Sequence, residues 1–309
     1  MRCASLQPNR YVSDLASRRW LRTGLPGRLR TCISRLRNRW ARAWLADDAL
    51  LTSEPTAPLS PDNRIVHAVW IGARLSLMEQ LSIRLLQQHG HEVHLWTYDP
   101  IVNVPKGVVV NDAALILPRE SIFRYTGMPL GYIPNGGIGS LAHWSDRFQL
   151  KLLHQQGGIY LQLDVACLRP LNFKNRYLFV PHIPSEAGYQ GIAAFLMKCP
   201  KGSVFAGNCA GELQRKINAE TIGSLDWDCS MRLMKRALQR TYLLPQRYFL
   251  PVRTYVDLGC RKDGPFFDNQ KLSKDIFIIH WSNATQRERK DDPIPGSLYE
   301  SLLKRAGLL

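Results

Sequence analysis

The segment Arg64–Tyr98 constrains the fold most, because its pattern predicts a strand, a helix and a second strand in close succession. Residues 64–72 and 91–98 are apolar runs of strand length, and residues 75–88 between them have helical character. A connection of this kind joins neighbouring parallel strands, so the segment predicts a βαβ unit and a parallel sheet. The pattern continues with a third predicted strand over 108–111 and a short helix over 112–116.

A second segment, Gly157–Val165, predicts a glycine turn followed by a buried strand that ends in two polar side chains. Gln162 and Asp164 are two residues apart, so on a strand they point the same way, while Leu161 and Leu163 point to the other face. A carboxylate beside an amide at the end of a buried strand suits a hard cation such as Mg²⁺ or Mn²⁺. The alternative is a strand that simply ends in solvent.

The stretch Ser140–Leu153 predicts an amphipathic helix. Its apolar residues recur at helical spacing, and Ser140 is placed to serve as the N-cap. Asp146 and Gln149 are three residues apart and therefore share the opposite face of this helix.

Together these segments resemble the family 32 glycosyltransferases, whose sugar-binding region contains an Asp-x-Asp motif, and more distantly the catalytic domains of the clostridial glucosylating toxins. The shared pattern is a Ser-Asp-x-x-Arg helix, then Gly-Gly-x-Tyr, then a strand carrying Asp-x-Asp. The segments Ser145–Asp146, Gly157–Tyr160 and Cys167–Leu171 fit this pattern. Two positions depart from it: Gln149 stands at the family's arginine, and Gln162 at the first aspartate of Asp-x-Asp.

The resemblance implies an α/β fold of the GT-A-like type, with a nucleotide-sugar-binding mixed sheet flanked by helices. It implies a UDP- or GDP-sugar donor and a divalent cation, Mn²⁺ or Mg²⁺, bound by Asp164. The residues that it assigns to catalysis are Asp146, Asp164 and Gln162. The residues that it assigns to donor binding are Trp70, Gly72, Ser145, Gln149, Tyr160, His280 and Asn283.

Two of these residues also have simpler explanations. In the resembled families a tryptophan at the end of the first strand stacks on the base, and an indole face and a nearby glycine suit that role at Trp70 and Gly72. Trp70 could equally be a core aromatic. His280 ends an apolar strand over 276–280, where it could contact a phosphate or coordinate a cation. It could also be a histidine satisfied by backbone groups.

Composition excludes several classes of protein. The 309 residues are 45% hydrophobic and 21% charged, which argues against wholesale disorder. No apolar run reaches the roughly 18–20 residues that cross a bilayer. The seven scattered cysteines contain no Cys-x-x-Cys pair, which argues against a structural zinc site and is compatible with a reducing cytosol.

The basic excess is concentrated at the N-terminus. Residues 1–46 contain eleven arginines and a single acid, Asp14, so about +10 of the formal net charge of +16 lies there. One helical stripe within this segment consists of Leu29, Ile33, Leu36, Trp40 and Trp44. An arginine-rich face opposite such a stripe is typical of a helix that lies on an anionic membrane surface. The alternatives are a helix packed on the catalytic domain, a targeting segment, and a disordered start.

The predicted organisation is a basic amphipathic helical extension over 1–50, a proline-rich linker over 51–62, and a GT-A-like glycosyltransferase domain over 63–309. We expect a cytoplasmic protein that binds the membrane peripherally through the extension.

Three functions are compatible with these features. The first is a metal-assisted transfer of a sugar from a nucleoside diphosphate to a hydroxyl of a glycan, lipid or protein acceptor, for which the resemblance implies retention of configuration. The second is a homologue with weakened or lost catalysis that binds a nucleotide-sugar or a partner, because Gln149 and Gln162 lack the charges of the family residues. The third is nucleic-acid binding, which the basic pI of 9.8 suggests but no recognition motif supports.

Overall fold

The computed structural model describes residues 58–124, 140–185, 188–219, 228–241, 249–250, 254–257, 272, 275–282 and 289–309. The predicted N-terminal extension, most of the predicted linker and Asn283 lie outside the described residues, so the expectations for them remain predictions.

The described part of the chain is a mixed α/β fold, as predicted, and its main sheet has six strands. The strands are, in chain order, β1 (Ile65–Val69), β2 (Glu92–Thr97), β3 (Val109–Asp112), β4 (Gly158–Leu161), β5 (Val165–Cys167), β6 (Leu178–Ser185), β7 (Gly188–Cys199), β8 (Tyr255–Asp257) and β9 (Ile278–His280). The large sheet has the order β3-β2-β1-β4-β7-β6, and a small sheet has the order β5-β9-β8.

The helices are α1 (Leu77–Gln88), α2 (Ala142–Gln156), α3 (Val204–Ala219), α4 (Cys229–Thr241) and α5 (Leu298–Arg305). Short helical turns occur at Pro61–Arg64, Ala113–Leu115 and Arg119–Ser121. None of the helices in the described part of the chain is long and apolar enough to cross a membrane.

The predicted βαβ unit is confirmed. Strand β1 runs parallel to β2 on one side and to β4 on the other, and β2 runs parallel to β3. Strand β7 then pairs antiparallel with β4 and with β6, which makes the sheet mixed. Helix α1 begins with a capping box, in which Glu79 Oε2 accepts a hydrogen bond of 2.7 Å from the Ser76 N–H.

The alternation of side chains along β4 separates two layers of core. Ile159 and Leu161 pack with α1 residues on one face of the sheet, while Tyr160 packs with residues of α2 and α3 on the other face. A third apolar cluster joins the outer side of α1 to α5 and the small sheet. The sheet is therefore covered by helices on both faces.

The predicted extent of the central strand is wrong. The strand predicted through residue 165 ends at Leu161, and residues 163–164 form a turn that leads into β5 of the other sheet. The two-residue periodicity therefore does not hold for Gln162 and Asp164. Asp146 and Gln149, which share one face of α2, are both buried.

The N-cap of α2 also differs from the prediction. The cap residue is Leu141, and Ser140 lies one position earlier. The Ser140 hydroxyl still accepts a hydrogen bond of 3.1 Å from the Ala142 N–H, so it satisfies one of the free donors at this helix end.

Candidate functional site

The candidate site lies at the carboxyl ends of the parallel strands. Strands β1 and β4 are parallel neighbours with Val66 opposite Ile159, so Trp70 after β1 and Gln162 after β4 follow at the same edge of the sheet. Ligands of open α/β sheets bind at this edge, where loops rather than strands supply the side chains.

Backbone contacts hold the turn after β4 in place. The Gln162 N–H donates to the Phe195 carbonyl of β7 at 2.9 Å, and the Asp164 carbonyl accepts from the Trp281 N–H at 2.8 Å. The turn is thus tied to the large sheet at one end and to the segment after β9 at the other. This arrangement brings Asp164 next to His280.

His280 lies between two carboxylates. Its Nδ1 is 2.9 Å from Asp257 Oδ1, and its Nε2 is 3.5 Å from Asp164 Oδ2. The imidazole also stacks on Phe195, with ring centroids 4.4 Å apart and the planes 21° from parallel. The structure therefore brings together two residues that the sequence analysis singled out, and adds Asp257 to them.

The charges around His280 dominate its protonation. Burial alone lowers the pKa of the imidazole, but the nearby Asp164 and Asp257 carboxylates more than offset burial and raise the pKa to about 10. In the absence of another cation, the histidine is therefore an imidazolium that neutralises part of the negative charge of this cluster.

Asp146 occupies a separate buried position on α2. Ser230, in the first turn of α4, donates a hydrogen bond from its hydroxyl to Asp146 Oδ2. Burial raises the pKa of the Asp146 carboxyl to about 6, and the hydrogen bond from Ser230 opposes this shift only in part. Asp146 is thus a buried acid whose charged form has little stabilisation from its described neighbours.

Gln149, one helical turn after Asp146, is 1% exposed. Neither its amide oxygen nor its amide nitrogen has a hydrogen-bond partner among the described residues. A buried amide without partners is costly, since it has lost its contacts with water. Its position next to Asp146 gives this face of α2 unused hydrogen-bonding capacity.

Tyr160 and Ser145 have structural partners. Tyr160 is buried on β4, and burial together with the charges of Asp146 and Asp164 raises the pKa of its phenol. The Ser145 hydroxyl donates to the Ala142 carbonyl of its own helix at 2.8 Å, a common arrangement for serine within a helix.

Trp70 is half-buried immediately after β1. Its indole N–H donates to the Arg74 carbonyl at 3.0 Å, and the Lys290 ammonium lies 5.4 Å from its ring centroid. Gly72 has a φ of +153°, and a Cβ there would lie 3.1 Å from the Trp70 indole nitrogen. The glycine therefore gives the indole room to fold back over the turn.

Asp257, Ser230, His182 and Asp228 were not among the residues predicted for the site. Asp257 ends the short strand β8, and an acid at the end of an apolar run is the same signal that identified Asp164. His182 on β6 lies 3.9 Å from Asp228, which precedes α4, and burial lowers the pKa of its imidazole. No sequence pattern links these distant segments.

The donor set of Asp164 and His280 fits a divalent cation. Carboxylate oxygen suits Mg²⁺ and Mn²⁺, and imidazole nitrogen suits many transition metals. Two ligand bonds of about 2.1 Å can bridge donor atoms that lie 3.5 Å apart. Within the described residues, no group of three or more His, Cys, Asp or Glu side chains is arranged to hold a metal ion. Asp164 and His280 are therefore the described side chains that would hold such a cation.

No protein-family model matches the chain, and no curated protein sequence matches it. The proposed relation to family 32 therefore stays a prediction.

Several solved structures of glycosyltransferases are similar to this chain. PaToxG glycosyltransferase is 14% identical with a TM-score of 0.40, and the match covers 68% of this chain and 75% of that protein. GlyE of Streptococcus pneumoniae TIGR4 is 12% identical with a TM-score of 0.45, covering 79% of this chain and 60% of that one. The bifunctional enzyme WbbM is 12% identical with a TM-score of 0.42, and the match covers 81% of this chain and 52% of that one. Because these similarities are so distant, a function can be proposed only from the chemistry of the site's own residues.

Proposed function

We propose that this protein is a glycosyltransferase that moves a sugar from a nucleoside-diphosphate donor to an acceptor hydroxyl with the help of a divalent cation. The observation that carries the proposal is the cluster of Asp164, His280 and Asp257 at the carboxyl end of parallel strands. Breaking a glycosidic bond leaves negative charge on the departing diphosphate. A site that can hold a cation at this position meets that chemical requirement.

Asp164 and His280 would hold Mn²⁺ or Mg²⁺. The bound cation would supply positive charge to the diphosphate oxygens and keep them in place. Nearby on the same edge of the sheet, Trp70 and Gly72 would bind the base of a UDP- or GDP-sugar, with the half-buried indole offering a flat surface.

The buried face of α2 would bind the sugar. Asp146 and Gln149 lie one turn apart, and the Gln149 amide has both its donor and its acceptor free among the described residues. Sugar hydroxyls both donate and accept hydrogen bonds, so they could satisfy this amide and the second oxygen of Asp146. Asp146, Asp164 and Gln162 would be the groups closest to the reacting bond.

The resemblance in the central motifs favours transfer with retention of configuration, to a glycan, lipid or protein acceptor. The N-terminal extension would bring the enzyme to an anionic membrane surface from the cytoplasm. This part of the proposal rests on the composition of residues 1–46 alone.

The decisive test is a panel of UDP- and GDP-sugars in a thermal-shift assay, with and without Mn²⁺. A donor that binds the folded protein should raise its melting temperature, and the rise should be larger with Mn²⁺. Asp164→Asn should remove the Mn²⁺-dependent part and leave the melting transition of the free protein cooperative. If no nucleotide-sugar shifts the transition under either condition, the proposed function is wrong.

A second candidate is a protein that binds the donor without transferring its sugar. The observation that favours it is the pair of neutral amides, Gln149 and Gln162, in a site where the resembled enzymes carry charge. Losing a charge-assisted contact to the transition state costs about 2–4 kcal/mol, or about 10²–10³ in rate. The double variant Gln149→Arg/Gln162→Asp separates the two candidates. A gain in donor hydrolysis or transfer indicates a weakened enzyme, whereas bound donor without any gain indicates a binding protein.

A further inference from the structure

We propose that Asp257 is a positioning residue for the cation: it holds the His280 ring so that Nε2 faces Asp164, and Asp164 and His280 then bind the cation together. This inference rests on the proposed function, since it needs a cation at Asp164. It assigns a role to a residue that no motif in the sequence singled out.

The small sheet sets this geometry. Asp257 and His280 are partners in register on the parallel strands β8 and β9, and His280 is also the partner of Val165 on β5. Asp164 directly precedes Val165. All three side chains therefore meet because their strands are neighbours, and the middle strand carries the histidine.

The His280 ring is held at one edge by Asp257 and on one face by Phe195. Asp257 Oδ1 lies 2.9 Å from Nδ1, and Phe195 stacks on the ring with a centroid separation of 4.4 Å. A ring held in both ways presents its second nitrogen in one direction. That nitrogen, Nε2, lies 3.5 Å from Asp164 Oδ2.

Histidines that bind metals commonly donate the other ring N–H to a carboxylate, which fixes the tautomer and raises the basicity of the ligand. The contact between Asp257 and Nδ1 has this form. With the proton kept on Nδ1, the lone pair of Nε2 is left for a cation shared with Asp164. The Phe195 ring supplies the apolar wall that keeps the imidazole in this plane.

The competing explanation is that Asp257 only stabilises the small sheet. In that case its loss would lower the stability of the fold without changing the affinity of a folded protein for a cation. Metal affinity and thermal stability therefore have to be measured separately on each variant.

The experiment is a titration of the full chain with Mn²⁺ alone. Binding is measured by calorimetry and, separately, by the electron paramagnetic resonance signal of free Mn²⁺. We expect Asp257→Asn to weaken Mn²⁺ binding by about 10- to 100-fold. In a His280→Gln background, the same change should weaken binding by less than about twofold, because the residue acts through the histidine.

The matched control is Glu92→Gln, because Glu92 makes the same kind of contact elsewhere: its Oε1 is 2.7 Å from His94 Nε2. This variant should bind Mn²⁺ as the parent does. If Asp257→Asn does not melt cooperatively, Asp257→Ser takes its place. Nitrogen-15 spectra of the parent's histidines offer a check that needs no variant, since added Mg²⁺ should shift the Nε2 signal of His280 and leave a proton on Nδ1.

The possible outcomes distinguish the existence of the cation site from the role of Asp257 in it. A parent that binds no Mn²⁺ and shows no change at His280 with Mg²⁺ overturns both the cation site and the role of Asp257. Equal Mn²⁺ affinity in the parent and in folded Asp257→Asn overturns the role of Asp257 alone. Equal loss in the His280→Gln background would mean that Asp257 acts on the cation by another route, which also overturns the proposal.

Discussion

The hydroxyl of Ser230 donates a hydrogen bond to the buried carboxyl of Asp146, and so joins the first turn of α4 to the middle of α2. Asp146 has no cationic partner among the described residues, and burial raises the pKa of its carboxyl to about 6. The folded protein therefore holds a proton at this position more tightly than the unfolded chain does.

The first prediction concerns the pH dependence of stability. The pKa of the Asp146 carboxyl is raised from 3.8 to about 6 by folding, so protonation of this carboxyl favours the folded state. Its contribution to the free energy of unfolding is complete below pH 3.8 and is lost as the pH rises through about 6. Relative to Asp146→Asn, the parent should lose on the order of 3 kcal/mol of unfolding free energy across this window. Urea unfolding at a series of pH values measures the difference.

Asp99→Asn provides a control of opposite sign. The exposed Asp99 carboxylate pairs with Arg119, which lowers its pKa, so its contribution is present at neutral pH and is lost in acid. Parallel curves for the parent and Asp146→Asn between pH 4 and pH 6 would show that the Asp146 pKa is not raised.

The second prediction concerns the unpartnered amide of Gln149. Gln149→Met removes two buried polar atoms at nearly constant volume, so it should stabilise the free protein by about 1–3 kcal/mol. The same variant should bind the donor sugar less well, because the amide is the proposed partner of sugar hydroxyls. Thermal unfolding and donor titration on the same preparation test both effects.

Gln80→Met is the matched control for that change. Gln80 lies on α1, where its amide nitrogen is 3.4 Å from the Leu75 carbonyl, so it is not left without a partner. Its replacement should give no comparable stabilisation. A Gln149→Met protein that is less stable than the parent would mean that ordered water already satisfies the amide.

The third prediction concerns a buried ion pair that ties the C-terminal segment to the start of α1. Lys290 donates to the buried Glu79 carboxylate, and Asp291 Oδ1 accepts from the Leu77 N–H at 2.8 Å. Lys290→Met should destabilise the fold by about 3–5 kcal/mol, because it leaves the Glu79 charge buried without its partner. Denaturant unfolding measures the loss.

Adding Glu79→Gln to Lys290→Met should recover part of that stability, since the uncompensated charge is then gone. Lys304→Met is the surface control, because the exposed Lys304 pairs with Glu300 and such surface pairs contribute little. A Lys290→Met protein as stable as the parent would contradict the prediction. The proximity of Lys290 to the Trp70 ring gives a second readout, since the indole fluorescence should change with the loss of the cation.

The fourth prediction concerns the N-terminal extension. Deleting residues 1–56 keeps Pro58, whose carbonyl accepts a hydrogen bond from Asn172 at 3.1 Å, and Ser60, whose N–H donates to the same side chain. The shortened protein should melt cooperatively and still bind nucleotide. The full chain should co-sediment with vesicles that contain anionic lipid, and less so at high salt, because salt screens exposed charges over about 8–10 Å.

The full-length variant Trp40→Ala/Trp44→Ala tests the apolar stripe while leaving every arginine in place. It should sediment less than the parent with the same vesicles. If the deletion abolishes folding, the stripe is core packing. A folded deletion variant together with a full chain that ignores vesicles favours a targeting or disordered segment instead.

The sequence by itself determined the local elements and their order. The apolar runs of β1 and β2 and the periodicity of α1 are local patterns, and they predicted a parallel βαβ unit that the structure confirms. The same patterns predicted α2, β4 and the strand that ends in His280. The polar end of a predicted strand and the family resemblance also made Asp164 and Trp70 candidate site residues.

Only the tertiary structure decided which polar groups meet. Asp257 and His280 are 23 residues apart, and Asp146 and Ser230 are 84 apart, so no local spacing could pair them. The turn at Asp164 was also beyond local pattern, because it depends on β5 leaving the large sheet to pair with β9. Burial and charge are properties of the packed neighbours, which is why the unpartnered amide of Gln149 and the shifted acid of Asp146 could be identified only in the fold.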